Sequence, residues 1–152
     1  MRKLSIGDIM DITRLKEIRE DHDLTQPQMA NILGVKRAAY SLWELGINTI
    51  PTDNLFDFAN YFNISIDYIL RISKEKDCKS KIKKFDLKVL GVNLKKIRTK
   101  NNLSQESMST IIGVSQAAVN KYKKGNICIS TIKLYNFSKK FKISIDELCG
   151  RK

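Results

Sequence analysis

The chain has 152 residues, 42% of them hydrophobic and 29% charged, and a formal net charge of +12. This composition excludes wholesale disorder, no apolar run approaches the roughly 20 residues of a membrane span, and no charged start leads into the apolar stretch of a signal peptide, so the cytoplasm is the default location. Three cysteines (Cys78, Cys128, Cys149) and one histidine (His22) offer neither a disulfide framework nor the clustered ligands of a zinc site, and no metal or cofactor is expected.

In chain order, Ile12, Leu15, Ile18 and Arg19 recur at helical spacing and predict a helix over about 9–22. Asp8, Asp11, Glu17 and Glu20 read as its solvated face. Thr25-Gln26-Pro27-Gln28 reads as a capping box opening a short second helix, which Gly34 stops. A third helix is predicted over about 37–45 with Tyr40 and Trp43 on one face, ended by Gly46. Pro51 and Thr52 open a fourth, bearing Leu55, Phe58, Ala59 and Phe62, and Ser65 caps a fifth with Ile66, Ile69 and Leu70. Residues 73–85 are polar and lysine-rich, without Gly or Pro. They read as a solvated linker, an extension of the fifth helix or an extended strap on phosphates, with Cys78 as an exposed thiol. Five further helices are predicted near 87–101, 105–112, 116–124, 131–141 and 145–149. Ser144 to Glu147 reads there as a complete S-x-x-E capping box.

The second set of helices repeats the first. Residues 15–70 reappear as 94–149 at a constant offset of 79, with no gap and with 22 of 56 positions identical. Two copies are too few for a solenoid, so each is expected to bury its own apolar face. The chain thus divides into an N-terminal domain (1–72), a basic linker (73–85) and a C-terminal domain (86–152), all of it α-helical. Charge separates the copies. Residues 1–72 hold 8 Lys/Arg against 10 Asp/Glu, whereas residues 89–152 hold 13 against 3. A polyanion should be drawn mainly to the second copy.

Gln26, Ala30, Gly34, Val35, Tyr40, Ser41, Trp43, Glu44, Gly46 and Pro51 in the first copy, and Gln105, Gly113, Val114, Ser115, Val119, Tyr122 and Gly125 in the second, follow one pattern. Each set is followed by I-S-x-D-x-[LI], at Ile64–Ile69 and Ile143–Leu148. The chain therefore resembles the lambda-repressor-like (XRE-type) helix-turn-helix family, in two tandem five-helix copies. The resemblance implies a DNA-binding module whose third helix enters the major groove while the second lies across it. It assigns Gln26 and Gln105 to a phosphate or base anchor and Arg19–Glu44 to a pair joining helices 1 and 3.

Base readers in the second copy would be Gln116, Ala117, Asn120 and Lys121: glutamine for adenine, alanine against a thymine methyl, lysine for guanine. Ser115 belongs to the same motif, and Lys123 and Lys124 suit phosphates. The matching surface of the first copy is Lys36, Arg37, Ala38, Ser41 and Leu42; its apolar edge, Leu42, Leu45 and Ile47, suits packing against protein, either the other copy or a second chain. Where the first copy has Arg19 and Glu44 the second has Arg98 and Lys123, so at least one cation should turn outward, toward a DNA phosphate.

A sequence-specific regulator on double-stranded DNA, a repressor reading mainly with the C-terminal recognition helix, fits these features best. A homodimer through the N-terminal domain would make its site palindromic. The alternative is a protein-interaction module, such as the antitoxin or adaptor of a two-protein system. An enzyme is not expected, since no catalytic constellation is present.

Overall fold

The structure is a computed structural model that describes residues 10–152. Its described residues form ten helices and no strand. The first copy comprises α1 (Arg14–Asp21), α2 (Gln26–Leu33), α3 (Arg37–Glu44), α4 (Thr52–Phe62) and α5 (Ile66–Ile69). The second comprises α6 (Leu87–Lys100), α7 (Gln105–Ile112), α8 (Gln116–Lys124), α9 (Thr131–Phe141) and α10 (Ile145–Leu148). The expected all-α, tandem five-helix fold is present.

Local chemistry sets most of the helix ends. Thr25 and Gln28 form the expected reciprocal capping box, and Gly34 and Gly113 take left-handed φ values of 68° and 79° at the turns into α3 and α8. Two details differ from expectation. The first helix starts at Arg14 rather than near residue 9, which with Asp8 lies outside the described residues. Asp11 instead accepts from both the backbone N–H and the hydroxyl of Thr13, holding the chain in a turn before α1. Ser144 accepts from the Glu147 N–H, but the box is not closed by Glu147, whose side chain is solvated. The Ser144 hydroxyl donates instead to Asp67 of the other copy, 2.5 Å away.

That bond belongs to a seam between the copies. Asp146 accepts from the Ser65 hydroxyl (2.7 Å) and from the N–H groups of Ile66 (2.9 Å) and Asp67 (3.1 Å), capping α5. Asp67 in turn caps α10, accepting from Ser144 and from the Ile145 N–H at 2.8 Å. Further along, Thr52 donates to the Ile129 carbonyl (2.8 Å) and Thr131 to the Ile50 carbonyl (2.5 Å), the two hydroxyls lying 3.2 Å apart. All of these contacts but the Asp67 N–H bond have a counterpart at the offset of 79. Residue i of one copy meets residue j of the other and the reverse, as in an isologous dimer. The chain is an intramolecular pseudo-dimer.

The apolar core follows suit. Its buried residues, from Leu15 and Met29 through Ile66, Ile69 and Leu70 to Ile145, Leu148 and Cys149, form one continuous cluster. The expectation that each copy buries its own face is thereby corrected: each supplies its own centre, and the two share the seam.

Residues 73–85 are neither helical nor a free linker. The Ser65 N–H donates to the Lys76 carbonyl (2.8 Å) and the Cys78 N–H to the Asn63 carbonyl (3.1 Å), around an isolated antiparallel bridge of Ile64 and Asp77. Asn60 holds the Ile82 carbonyl at 3.1 Å, and Phe85 packs edge-on against Phe56 with ring centroids 5.3 Å apart. The segment is a strap tied to the first copy, with Lys79, Lys81, Lys83 and Lys84 outward. Cys78, expected to be exposed, is buried beneath it, and burial pushes its thiol pKa up. Cys149 is buried as expected from its alignment with Leu70.

Candidate nucleic-acid interface

The recognition helix of the first copy, α3, is held from behind by a polar hub. The Glu44 carboxylate accepts from Arg19 Nε (2.6 Å) and Nη2 (3.1 Å), from Gln26 Nε2 (2.8 Å) and from the Tyr40 hydroxyl (2.9 Å). Arg19 also donates through Nη1 to the Leu24 carbonyl at 2.6 Å, fixing the turn between α1 and α2. Burial alone would raise the Glu44 pKa, but the bonds from Arg19, Gln26 and Tyr40 outweigh it and hold the carboxyl below its ordinary value. Burial pushes the Tyr40 phenol pKa up, so the hydroxyl remains a donor to that carboxylate. The Arg19–Glu44 pair implied by resemblance is therefore present, and it recruits Gln26, whose amide nitrogen is committed to the protein.

The second copy keeps the arginine and the glutamine but not the carboxylate and phenol that complete the hub. Lys123 stands at the Glu44 position, Val119 at that of Tyr40 and Tyr122 at that of Trp43. Arg98 retains only the bond to the turn, Nη1 to the Leu103 carbonyl at 2.9 Å. What replaces the hub is close backbone packing. Gly91 occupies the position of Ile12, and a Cβ there would lie 2.1 Å from the Tyr122 carbonyl oxygen and 2.9 Å from that of Lys123. Without a side chain, α6 comes directly against the C-terminal half of α8. Lys95, Arg98 and Lys123 rim the small apolar cleft that remains, floored by Leu94, Met108, Val119 and Tyr122.

The outward faces of α3 and α8 also differ. On α8, Gln116, Ala117, Lys121 and Lys124 are exposed, and Asn120 and Lys123 are half-buried. Ser115 is exposed but already caps the helix, accepting from the Ala118 N–H at 3.0 Å. Gln105 is half-buried at the first position of α7, next to the Ser104 cap. On α3, Lys36 and Arg37 are exposed, and Ser41 and Leu42 are half-buried. Leu45 and Ile47 beyond them are each 67% exposed, so this apolar edge does not pack against the second copy.

A helix-turn-helix family model matches residues 15–69 and again 94–148, together well over half the chain. The chain belongs to the helix-turn-helix family. Among curated relatives it is 33% identical over 66 residues to the uncharacterized HTH-type transcriptional regulator YobD of Bacillus subtilis (43% of this chain, 59% of that protein). It is 39% identical over 57 residues to the HTH-type regulator YqaE of the same organism (38% and 49%), and 35% identical over 51 to the antitoxin PezA of Streptococcus pneumoniae (34% and 32%). The matches thus span between about a third and three fifths of those proteins. Among solved structures, the restriction-modification controller protein C.AhdI of Aeromonas hydrophila matches 41% of this chain and 94% of its own, at 26% identity and a TM-score of 0.38.

The family pattern marks the residues on α3 and α8 but gave no notice of the seam. A signal for it existed in the repeat itself. Thr52/Thr131, Ser65/Ser144 and Asp67/Asp146 are polar pairs kept identical between copies that otherwise diverge in charge, and all but Ser144 are buried. Among the described residues no three His, Cys, Asp or Glu side chains gather into a metal site, and no helix is long and apolar enough to cross a membrane.

Proposed function

We propose that this chain is a sequence-specific DNA-binding transcriptional regulator, acting as a repressor, that reads the major groove mainly with α8. The observation that carries this reading is the exposed row Gln116, Ala117 and Lys121 on a helix set in the strongly basic copy. Gln116 and Asn120 suit adenine, Lys121 guanine and Ala117 a thymine methyl. Gln105, Ser115, Lys123 and Lys124 take phosphates, which position the protein without specifying sequence. Lys36, Arg37, Ser41 and the outer part of Gln26 give the first copy a weaker surface on the same duplex. The names of YobD and YqaE support the assignment.

Because the copies face each other across a pseudo-two-fold, one chain presents two recognition helices to two unequal half-sites. For a homodimer through the N-terminal domain the exposed Leu45–Ile47 edge is available, whereas the α4–α5 seam is already covered by the second copy. That edge also favours a second reading, in which a protein partner docks there while α8 holds DNA.

Selection of bound duplexes at physiological salt, followed by gel shifts, tests the assignment. Gln116→Ala with Lys121→Ala should abolish sequence preference. Arg37→Ala should weaken binding much less, and affinity should fall steeply with salt as counterions return to the duplex. Equal losses from the two variants would sink the asymmetric reading.

A further inference from the structure

We propose that Arg151 is the positioning residue that fixes α3 and α8 at a single relative placement, and so determines which spacing of half-sites the chain accepts; this rests on the DNA-binding reading above. The need for such a residue arises in the seam. Reciprocal capping brings two carboxylates, Asp67 and Asp146, together in a place where they are 2% and 0% exposed. Two buried anions repel, and the first copy offers them no cation from the position that matches Arg151, which is Ile72. The chain breaks the symmetry at one point. Arg151 stands at the offset position of Ile72, and its Nη1 donates to Asp146 Oδ1 with both side chains fully buried.

The same guanidinium reaches across the seam. Its Nε donates to Asn60 Oδ1 on α4 of the first copy at 3.0 Å, and its centre lies 5.8 Å over the Phe56 ring. The Arg151 carbonyl accepts from Cys78 Sγ, at 3.7 Å, in the strap. The side chain thus ties α10 to α4, and the backbone of the same residue meets the strap. No reciprocal clip is present, because Lys139 stands where Asn60 would recur. The reciprocal caps set two carboxylates against this one cation, so loss of Arg151 loosens them and frees the copies to rock about the Thr52–Thr131 contact.

Spacing reads out that motion. One base pair of spacer moves a half-site about 3.4 Å along and about 34° around the duplex, so only a rigid pair discriminates between neighbouring spacers. Duplexes obtained by selection with the full-length protein are rebuilt with the two half-sites separated by spacers varied one base pair at a time. The unaltered protein should prefer one spacing by about tenfold, equivalent to about 1.4 kcal/mol. Arg151→Ala should reduce the preference to about twofold while leaving affinity for an isolated half-site within about twofold. Arg151→Lys should restore part of the preference.

Amide hydrogen exchange on the free proteins supplies a reading without DNA. In Arg151→Ala the Ile66, Asp67 and Ile145 amides should exchange about tenfold faster, with those inside α4 and α9 unchanged. The proposal is overturned if the spacing profile keeps its sharpness in Arg151→Ala, or if the capped amides stay as protected. Should α4 and α9 amides also accelerate, Arg151→Lys decides: failure to recover any spacing preference while its core amides are protected overturns the role. An unaltered protein that selects half-sites without regard to spacing refutes this inference alone. One that selects no sequence refutes the DNA-binding reading with it.

Discussion

In the first copy the recognition helix is tied to α1 through a buried carboxylate that gathers Arg19, Gln26 and Tyr40; in the second it is pressed onto α6 because Gly91 has no side chain. One fold thus fixes the same helix by two devices. The polar hub spends Gln26 on the protein's own interior. Close packing needs no such donors, and it leaves Arg98, Gln105 and Lys123 without a carboxylate to hold. The comparison explains how two domains with 22 of 56 residues in common come to present such different surfaces.

The sharpest way to break this comparison is Glu44→Ala, which strands the buried Arg19 and should cost about 3–5 kcal/mol in urea denaturation. Lys123→Ala at the matching position should stay within about 0.5 kcal/mol. Equal costs would mean that the two helices are held alike. Gly91→Ala comes next, since its new Cβ cannot share space with the Tyr122 carbonyl and must push α6 from α8. A loss of about 1–3 kcal/mol is expected, together with faster amide exchange in α8, and an unchanged midpoint would remove close packing from the account.

Within the seam, Asp67 gives a pH signature of the opposite sign to the hub. Burial, then the neighbouring Asp146, raises the Asp67 pKa to about 6. The folded state therefore holds a proton that the unfolded chain releases earlier, and the stability linked to Asp67 declines as pH rises from about 4 to about 6. Glu44, whose folded pKa is lowered, contributes stability above the ordinary carboxylate range that is lost on acidification through its folded value. Asp67→Asn should flatten the thermal midpoint between about pH 4 and pH 6, and a slope unchanged by the substitution would exclude Asp67 as its source.

The smallest effect concerns the end of the fourth helix in each copy. Asn63 and Lys142 both adopt left-handed φ values, 53° and 52°, which asparagine tolerates and lysine does not favour. Lys142→Gly should gain about 0.5 kcal/mol, relief of strain less the glycine entropy. Asn63→Gly should gain nothing, and an equal gain at both sites would cancel the distinction.

Much of the fold was legible because its determinants are local. Caps at Thr25 and Ser104 and glycines at 34 and 113 bound helices whose apolar spacing is regular, and α7, α8 and α9 span the predicted residues. The exposed residues of α8 could be read from the same pattern. The seam and the attachment of the strap to the first copy could not, because their partners are distant in sequence. Asp67 reads as an ordinary residue of a short helix until Ser144 and Ile145 are placed against it. Composition left residues 73–85 open between a solvated linker, a helical extension and an extended strap, whereas the carbonyls and amides at 63, 65, 76 and 78 pair across the bridge. The loss of the hub in the second copy was visible as Lys123, but its compensation at Gly91 depends on how closely two helices cross.

Joining the paired halves in one polypeptide removes protein concentration from the assembly step. A two-chain version would populate its paired form with the square of monomer abundance when dilute, and would dissociate as the cell divided or expression fell. Here the partner is always tethered at a fixed effective concentration. Each half is also free to accumulate changes that its twin need not share.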